Sequence, residues 1–129
     1  MRGEETVLKE RSNYGMAEKV MTLHELCDVL GISRRTVQGY EKHGLVKASG
    51  RNKRGYLLYD AQMQTVIAEI RQLQLFGFPV KEIAALRSMP GKELRKRLLV
   101  QKTVLEYKRT GLEDQLRRLD ELIAQLESE

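Results

Sequence analysis

Seven cations lie between residues 34 and 57 of the chain, against a single anion, Glu41. Lys and Arg side chains gathered in this way can neutralise the oxygens of a phosphate backbone, and such a basic patch is the electrostatic footprint of a nucleic-acid binder. Three of the cations fall in the short stretch RNKRGYLLY, residues 51–59. A surface hairpin needs the glycine of that stretch, but it does not need three positive charges at its tip. The seven cations are Arg34, Arg35, Lys42, Lys47, Arg51, Lys53 and Arg54.

Other chemistries find little support in the sequence. Cys27 is the only cysteine, and His24 and His43 are the only histidines, so the four Cys or His ligands of a structural zinc site are missing. The sequence contains no Ser/Cys–His–acid set, P-loop or dinucleotide fingerprint, and we therefore expect neither an enzyme nor a bound metal or cofactor. With no apolar run of membrane-spanning length and no signal-peptide pattern, a soluble cytoplasmic protein is predicted.

Local signals place the basic residues on two short helices and a hairpin. A capping box, TLHE at residues 22–25, opens an apolar helical run that Gly31 ends. Ser33 caps a second helix, which extends to about His43. Two short helices joined in this way have the spacing of a helix-turn-helix, with the second helix presented outward. Residues 45–59 then predict a β-hairpin with an extended, glycine-containing tip.

The remaining pattern is helical. It predicts a third helix over 61–76, a fourth that begins near Pro79, and a long helix from about residue 92 to 128. We therefore expect a mostly α-helical protein in three parts. These are a loosely ordered arm (residues 1–20), a compact domain (21–90) and a long terminal helix (91–129).

Three blocks of this sequence resemble the MerR family of bacterial transcription regulators. They are ISRRTVQGYEKHGLV at 32–46, RGYLLYD at 54–60 and GFPVKEI at 77–83, in family order and spacing. With the helices between them, they extend the resemblance over residues 21–87. It implies a winged helix-turn-helix DNA-binding domain, in which the β-hairpin is the wing. The DNA-binding residues that it implies are Ser33, Arg34, Arg35, Thr36, Gln38, Tyr40, Lys42, Arg51, Lys53, Arg54, Tyr56 and Tyr59.

The resemblance also implies a division of roles. The second helix would read base edges, with arginine suited to guanine and glutamine to adenine, while the three wing cations would contact phosphates. Tyr40 matches a family position that usually contacts the DNA backbone, and the two wing tyrosines would brace the wing or donate a hydroxyl. The chain departs from the family where Gln38-Gly39 replaces Arg-Tyr, and where Leu57 replaces an arginine. These departures indicate an altered operator preference or a loss of DNA binding.

Two functions follow from the resemblance. The first is a homodimeric regulator that binds a pseudo-palindromic promoter site and distorts the DNA, with RNA polymerase as a further candidate partner. The second is a MerR-like, chaperone-modulator type of protein that binds another protein and no longer binds DNA. Family members that sense metals resemble one another in having cysteines around the terminal helix, and this sequence has none there.

The terminal helix carries an apolar heptad seam, interrupted in its first half by Lys102 and Arg109. Residues 92–109 hold seven cations and two anions, whereas residues 110–129 hold two cations and six anions. An antiparallel pair of helices would lay each basic half against an acidic half, so an antiparallel coiled coil is predicted. A solitary amphipathic helix folded onto the core is the alternative. The predicted dimerisation residues are Leu98, Leu105, Leu112, Leu116, Leu119, Ile123 and Leu126.

Overall fold

The computed structural model describes residues 20–129, and these residues form five helices and one three-stranded sheet. The predicted arm, residues 1–20, lies outside the described residues except for Val20, which is exposed. The chain divides into two compact units, the first ending at Gly91 and the second running from Lys92 to Glu129. The mostly α-helical class, with a small hairpin and a long last helix, is confirmed.

The first two helices form where the capping signals predict them. Helix α1 (Leu23–Leu30) begins with both hydrogen bonds of the Thr22–Glu25 capping box and ends at Gly31, whose φ of 65° is left-handed. Ser33 then caps α2 (Arg34–Lys42) by accepting a hydrogen bond from the backbone N of Thr36 at 3.1 Å. Both helix ends thus satisfy backbone groups that would otherwise lack partners.

The hairpin is part of a three-stranded sheet with strand order β1-β3-β2. Strands β2 (Gly50–Arg51) and β3 (Leu57–Tyr59) pair antiparallel, as predicted for the wing. Strand β1 (Met21–Thr22) pairs with the other edge of β3, in the register Met21 to Tyr59. No sequence pattern predicted β1. It fixes the hairpin to the residues immediately before α1.

Two further helices complete the core of the first unit. Asp60 caps α3 (Ala61–Leu75) by accepting from the backbone N of Met63, and α4 (Val80–Ser88) follows Pro79. Their buried apolar side chains lie at helical spacing. Glu69 of α3 is also buried, and it pairs with the guanidinium of Arg87 on α4, which supplies the opposite charge that a buried carboxylate requires. The buried apolar residues of α3 and α4 include Val66, Ile67, Ile70, Leu73, Ile83 and Leu86.

The second unit is a single continuous helix, α5 (Gly91–Glu127), of 37 residues. It continues through Gly111 without a break. From Lys102 to Glu129 every residue is exposed except Asp114, which is half-buried. A row of large apolar side chains therefore faces solvent along this helix, including Leu112 at 60% and Leu116 at 61% exposure.

Candidate nucleic-acid interface

Helix α2 has one buried and one charged face. Val37 and Tyr40 are buried in the core, whereas the side chains predicted to read bases or contact phosphates on this helix point to solvent. This separation follows from helical spacing, because positions three and four residues apart share a face. The exposed polar residues of α2 are Arg34, Arg35, Gln38 and Lys42.

Ser33 and Thr36, both predicted to bind DNA, serve first as a helix cap. The Ser33 hydroxyl accepts from the Thr36 backbone N, and the two side-chain hydroxyls lie 3.0 Å apart. Ser33 is exposed and Thr36 is half-buried. These contacts fix the start of α2, where the first exposed arginines follow.

Asn52 organises the tip of the wing. Its Oδ1 accepts hydrogen bonds from the backbone N of Arg54 at 2.9 Å and of Tyr56 at 3.0 Å. Gly55 adopts a φ of 84°, a left-handed conformation that glycine tolerates without strain. The guanidinium of Arg51 donates to the Gly55 carbonyl at 2.6 Å, so one of its donors closes the tip. A short side chain and a single glycine thus give the basic loop a defined shape.

The wing tip presents its charges to solvent. Lys53, Arg54 and Tyr56 are all exposed, and so is Arg51 despite its contact with the tip. Between β1, the start of α1, Arg34 and the wing lies a cleft with a volume of about 620 Å³. Arg34 of α2 and Arg51 of the wing both line this cleft, so the two basic elements border one concave surface.

Two of the predicted DNA-binding residues, Tyr40 and Tyr59, are buried in the core. Tyr40 is 1% exposed, and its hydroxyl donates to Oε1 of Gln74 on α3 at 2.6 Å. Tyr59 is 0% exposed, and its hydroxyl donates to Oε1 of Glu41 at 2.6 Å. Each aromatic ring is buried and each hydroxyl already has an intramolecular acceptor, so both tyrosines have a structural role, and a direct contact with DNA stays a prediction. Bracing the wing, the other role considered for Tyr59, agrees with these contacts.

Burial perturbs the ionisation of both tyrosines. Burial raises the pKa of Tyr59 far above its ordinary value, and the hydrogen bond to the Glu41 carboxylate and its negative charge raise it further. Burial also raises the pKa of Tyr40, although the positive charge of Arg71 opposes this effect. On α1, burial raises the pKa of the Cys27 thiol. All three groups therefore stay neutral at physiological pH.

Three residues that contact these tyrosines were not expected from the sequence, namely Glu41, Gln74 and Arg71. Glu41 is the only anion in the basic window, which was a signal that it has an internal role. Gln74 and Arg71 lie on α3, more than thirty residues after Tyr40, and no local pattern links them to it. With Arg35 and Gly39, they line a small cavity of about 200 Å³ beside α2. A Cβ built at Gly39 would meet nothing within 4 Å, so the missing side chain leaves open space there.

Two negative findings apply to residues 20–129. Among them, no group of three or more His, Cys, Asp or Glu side chains is arranged to hold a metal ion. None of the helices in this range has both the length and the apolar character needed to cross a membrane.

Comparison with known families decides how this arrangement should be classified. The sequence model described as "MerR HTH family regulatory protein" matches residues 21–90, which is more than half of the chain. The chain belongs to the MerR family. A second MerR-family model, described as "MerR, DNA binding", matches residues 65–128 and so includes all of α5. The predicted resemblance is confirmed.

Two individual proteins are similar to this chain over about three-quarters of its length. Nodulation protein NolA of Bradyrhizobium sp. strain NC92 is 33% identical over 99 residues, covering 74% of this chain and 41% of NolA. The chain thus spans about two-fifths of the length of that relative. The mercuric resistance operon regulatory protein of Bacillus cereus is 29% identical over 99 residues, covering 76% of this chain and 71% of the relative.

A solved structure shares the MerR fold. It is HiNmlR, a MerR family regulator lacking the sensor domain, bound to promoter DNA. The TM-score is 0.63 at 20% identity, over 76% of this chain and 79% of that one. This likeness shows the shared fold, and the match to the MerR DNA-binding model supports a DNA-binding regulator and does not favour a chaperone-type modulator that has lost DNA binding.

Proposed function

We propose that this MerR-family chain is a sequence-specific transcriptional regulator that binds double-stranded promoter DNA as a homodimer. The observation that carries the proposal is the sorting of charge around α2 and the wing. The cations of the basic window are exposed, whereas its single anion, Glu41, is held by the buried Tyr59 hydroxyl. The surface that remains is almost purely positive, which is the character a phosphate backbone selects.

The two elements take different roles in this proposal. Helix α2 enters the major groove, where Arg34, Arg35 and Gln38 reach base edges. Lys53 and Arg54 lie along the phosphate backbone and fix the orientation of the domain. Tyr56, which is 56% exposed, is placed to donate its hydroxyl to a phosphate oxygen. Tyr40 and Tyr59 act on DNA only indirectly, by holding α2 and the wing in position.

A second copy is the other proposed partner. The exposed leucines of α5 need an apolar surface to cover them, and the charge asymmetry of this helix favours an antiparallel partner. The helix has 37 residues and is therefore roughly 55 Å long, enough to hold two DNA-binding domains well apart. A two-fold dimer requires a pseudo-palindromic site.

The proposed outcome is a change in promoter geometry. Bending or untwisting the promoter would cost a few kcal/mol, which added backbone contacts offset. RNA polymerase, which reads the reshaped promoter, is the proposed downstream partner, and the bacterial cytoplasm is the proposed location. Gly39 and Leu57, where the family commonly has larger or cationic residues, are the positions at which we expect the operator preference to differ.

Selection of bound sequences from a random pool of double-stranded DNA tests this function. We expect enrichment of one two-fold symmetric sequence, to which the protein binds as a dimer. The matched control is Arg35→Ala with Gln38→Ala, which removes two proposed base contacts from an exposed face and should abolish the enrichment. A pool that shows no enriched sequence with the unaltered protein would contradict the proposal and favour the protein-binding modulator.

A further inference from the structure

The exposed surface of α5 carries two columns of opposite charge. Arg95, Lys102 and Arg109 recur every seven residues in its first half, and an acidic column with the same spacing occupies the second half. All six residues are exposed. Their distances from Gly111 match in pairs, at two, nine and sixteen residues on either side. The acidic column consists of Glu113, Asp120 and Glu127.

This symmetry defines one antiparallel arrangement. Resting on the homodimer proposed above, we propose that α5 pairs with α5 of a second copy in a single register, centred on Leu112. In that register Arg95 faces Glu127, Lys102 faces Asp120, and Arg109 faces Glu113, each pair occurring twice because of the two-fold axis. Charged pairs at such flanking positions set the orientation and the choice of partner in coiled coils.

The apolar layers agree with the same centre. In the core, Leu112 faces Leu112 of the second copy and Leu105 faces Leu119. On the side of the core opposite the ion pairs, Val104 faces Leu122. These side chains are 38–60% exposed in the single chain, so each has apolar area to bury. The ion pairs are symmetric about Gly111, whereas the core layers are symmetric about Leu112. This offset of one residue arises because the charged residues lie beside the core and not in it.

A straight heptad seam is the competing arrangement. It would place Lys102 and Arg109 of each helix in the core. If Gln101 and Lys108 take the core positions in place of Lys102 and Arg109, each helix has one cation in the core and not two. The remaining one, Lys108, has a long stem that can carry its ammonium out to solvent. With this change, two consecutive intervals of the seam are four residues long, from Lys108 to Leu112 and from Leu112 to Leu116. Such an irregularity, called a stutter, locally unwinds a coiled coil.

Contacts within the helix leave the acidic column suited to this role. Arg117 and Arg118, the only cations in the second half, both pair with Asp114 of their own helix, and Arg117 also approaches Glu121. Neither Asp114 nor Glu121 belongs to the column. Arg109 and Glu113 lie 3.7 Å apart within one helix and are 72% and 67% exposed, so both can turn to the partner.

Crosslinking between two different variants tests the register. In a Cys27→Ser background, chains carrying Leu105→Cys are mixed with chains carrying Leu119→Cys and oxidised gently. The proposed register predicts a disulfide-linked heterodimer, because these positions share a layer. The control mixture joins Leu105→Cys with Leu116→Cys, which the straight seam brings together and the proposed register separates by about three residues, or roughly 4.5 Å along the axis.

The outcomes separate the register from the homodimer itself. Preferential linkage of the 105 and 116 positions would overturn the register while leaving the dimer intact. Sedimentation as a monomer at every concentration would overturn the homodimer and the register together.

Charge reversal gives an independent measurement. Lys102→Glu and Asp120→Lys each create two like-charge pairs per dimer, and each should weaken dimerisation about tenfold. The double variant restores opposite charges and should recover most of that loss. Lys96→Glu, on a different face of the helix, is the control and should have a smaller effect. No recovery in the double variant would contradict the proposed pairing.

Discussion

The hydroxyl of Tyr59 donates a hydrogen bond to Oε1 of Glu41 at 2.6 Å. Tyr59 is the last residue of β3 in the wing, and Glu41 lies in the last turn of α2. This contact joins the two elements proposed to bind DNA and engages the only anion of the basic window. The orientation of the wing relative to α2 therefore depends on a buried side chain rather than on the exposed cations.

Removing that hydroxyl should weaken both the fold and DNA binding. We expect Tyr59→Phe to lower the free energy of unfolding by about 2 kcal/mol, because hydrogen bonds to charged groups contribute more than neutral ones. Operator affinity should fall as well, since the wing loses its tether to α2. Urea unfolding and DNA titration measure the two effects. Tyr107→Phe, at a site that is 82% exposed, is the control and should leave both unchanged.

The raised pKa of Tyr59 makes stability depend on alkaline pH. Since its pKa in the folded protein lies above the unfolded value of about 10, the native state keeps a proton that the unfolded chain releases. The stability that the protonated Tyr59 hydroxyl contributes is complete below pH about 10 and is lost as the pH rises further. Unfolding midpoints measured across this range should fall less steeply for Tyr59→Phe than for the unaltered protein. Equal slopes would contradict the assignment.

The shape of the wing tip and its charge can be separated experimentally. Asn52→Ala removes the acceptor that organises the tip but changes no charge. We expect weaker DNA binding with an unchanged dependence on salt. Lys53→Ala removes one phosphate contact per copy, so the slope of log affinity against log salt should become shallower by about two in a dimer. If Asn52→Ala reduced the salt dependence as much as Lys53→Ala does, the proposed separation of shape from charge at the wing tip would be contradicted.

Arg35 should determine sequence preference rather than overall affinity. Arg35→Ala should reduce discrimination at one base position of each half-site by about 1–3 kcal/mol. Lys53→Ala, by contrast, should weaken all sequences by a similar factor. Binding to a panel of single-base operator variants measures both. A wing substitution that altered preference while Arg35→Ala did not would reverse the roles assigned here.

The parts of the fold that local chemistry determines were predictable. The TLHE capping box, Gly31 and Ser33 act within a few residues of their own positions, so the sequence indicates the ends of α1 and α2 directly. The hydrogen bond of the Tyr40 hydroxyl was not predictable in this way, because its acceptor, Gln74, lies 34 residues away. Strand β1 was missed for a related reason. Two residues are too short to show a period, and their partner strand begins at Leu57.

The candidate site likewise combines features that the local sequence determines with contacts that it does not. Exposed cations on a helix face and at a hairpin tip follow from spacing and turn chemistry, so their positions could be predicted. The contacts that orient them, from Tyr59 to Glu41 and from Arg51 to Gly55, depend on how distant or looped segments meet. Sequence patterns identified which residues carry charge but not which ones hold the surface in shape.

The dependence of operator affinity on salt tests the central claim most directly, namely that the basic surface of α2 and the wing binds DNA. If two copies together neutralise about six to ten phosphates, raising the salt concentration from about 50 to about 200 mM should lower the affinity by about 10³–10⁵. The double variant Lys53→Ala with Arg54→Ala should show a weaker affinity and a clearly shallower slope. An affinity that stays flat across this range in the unaltered protein would contradict the account.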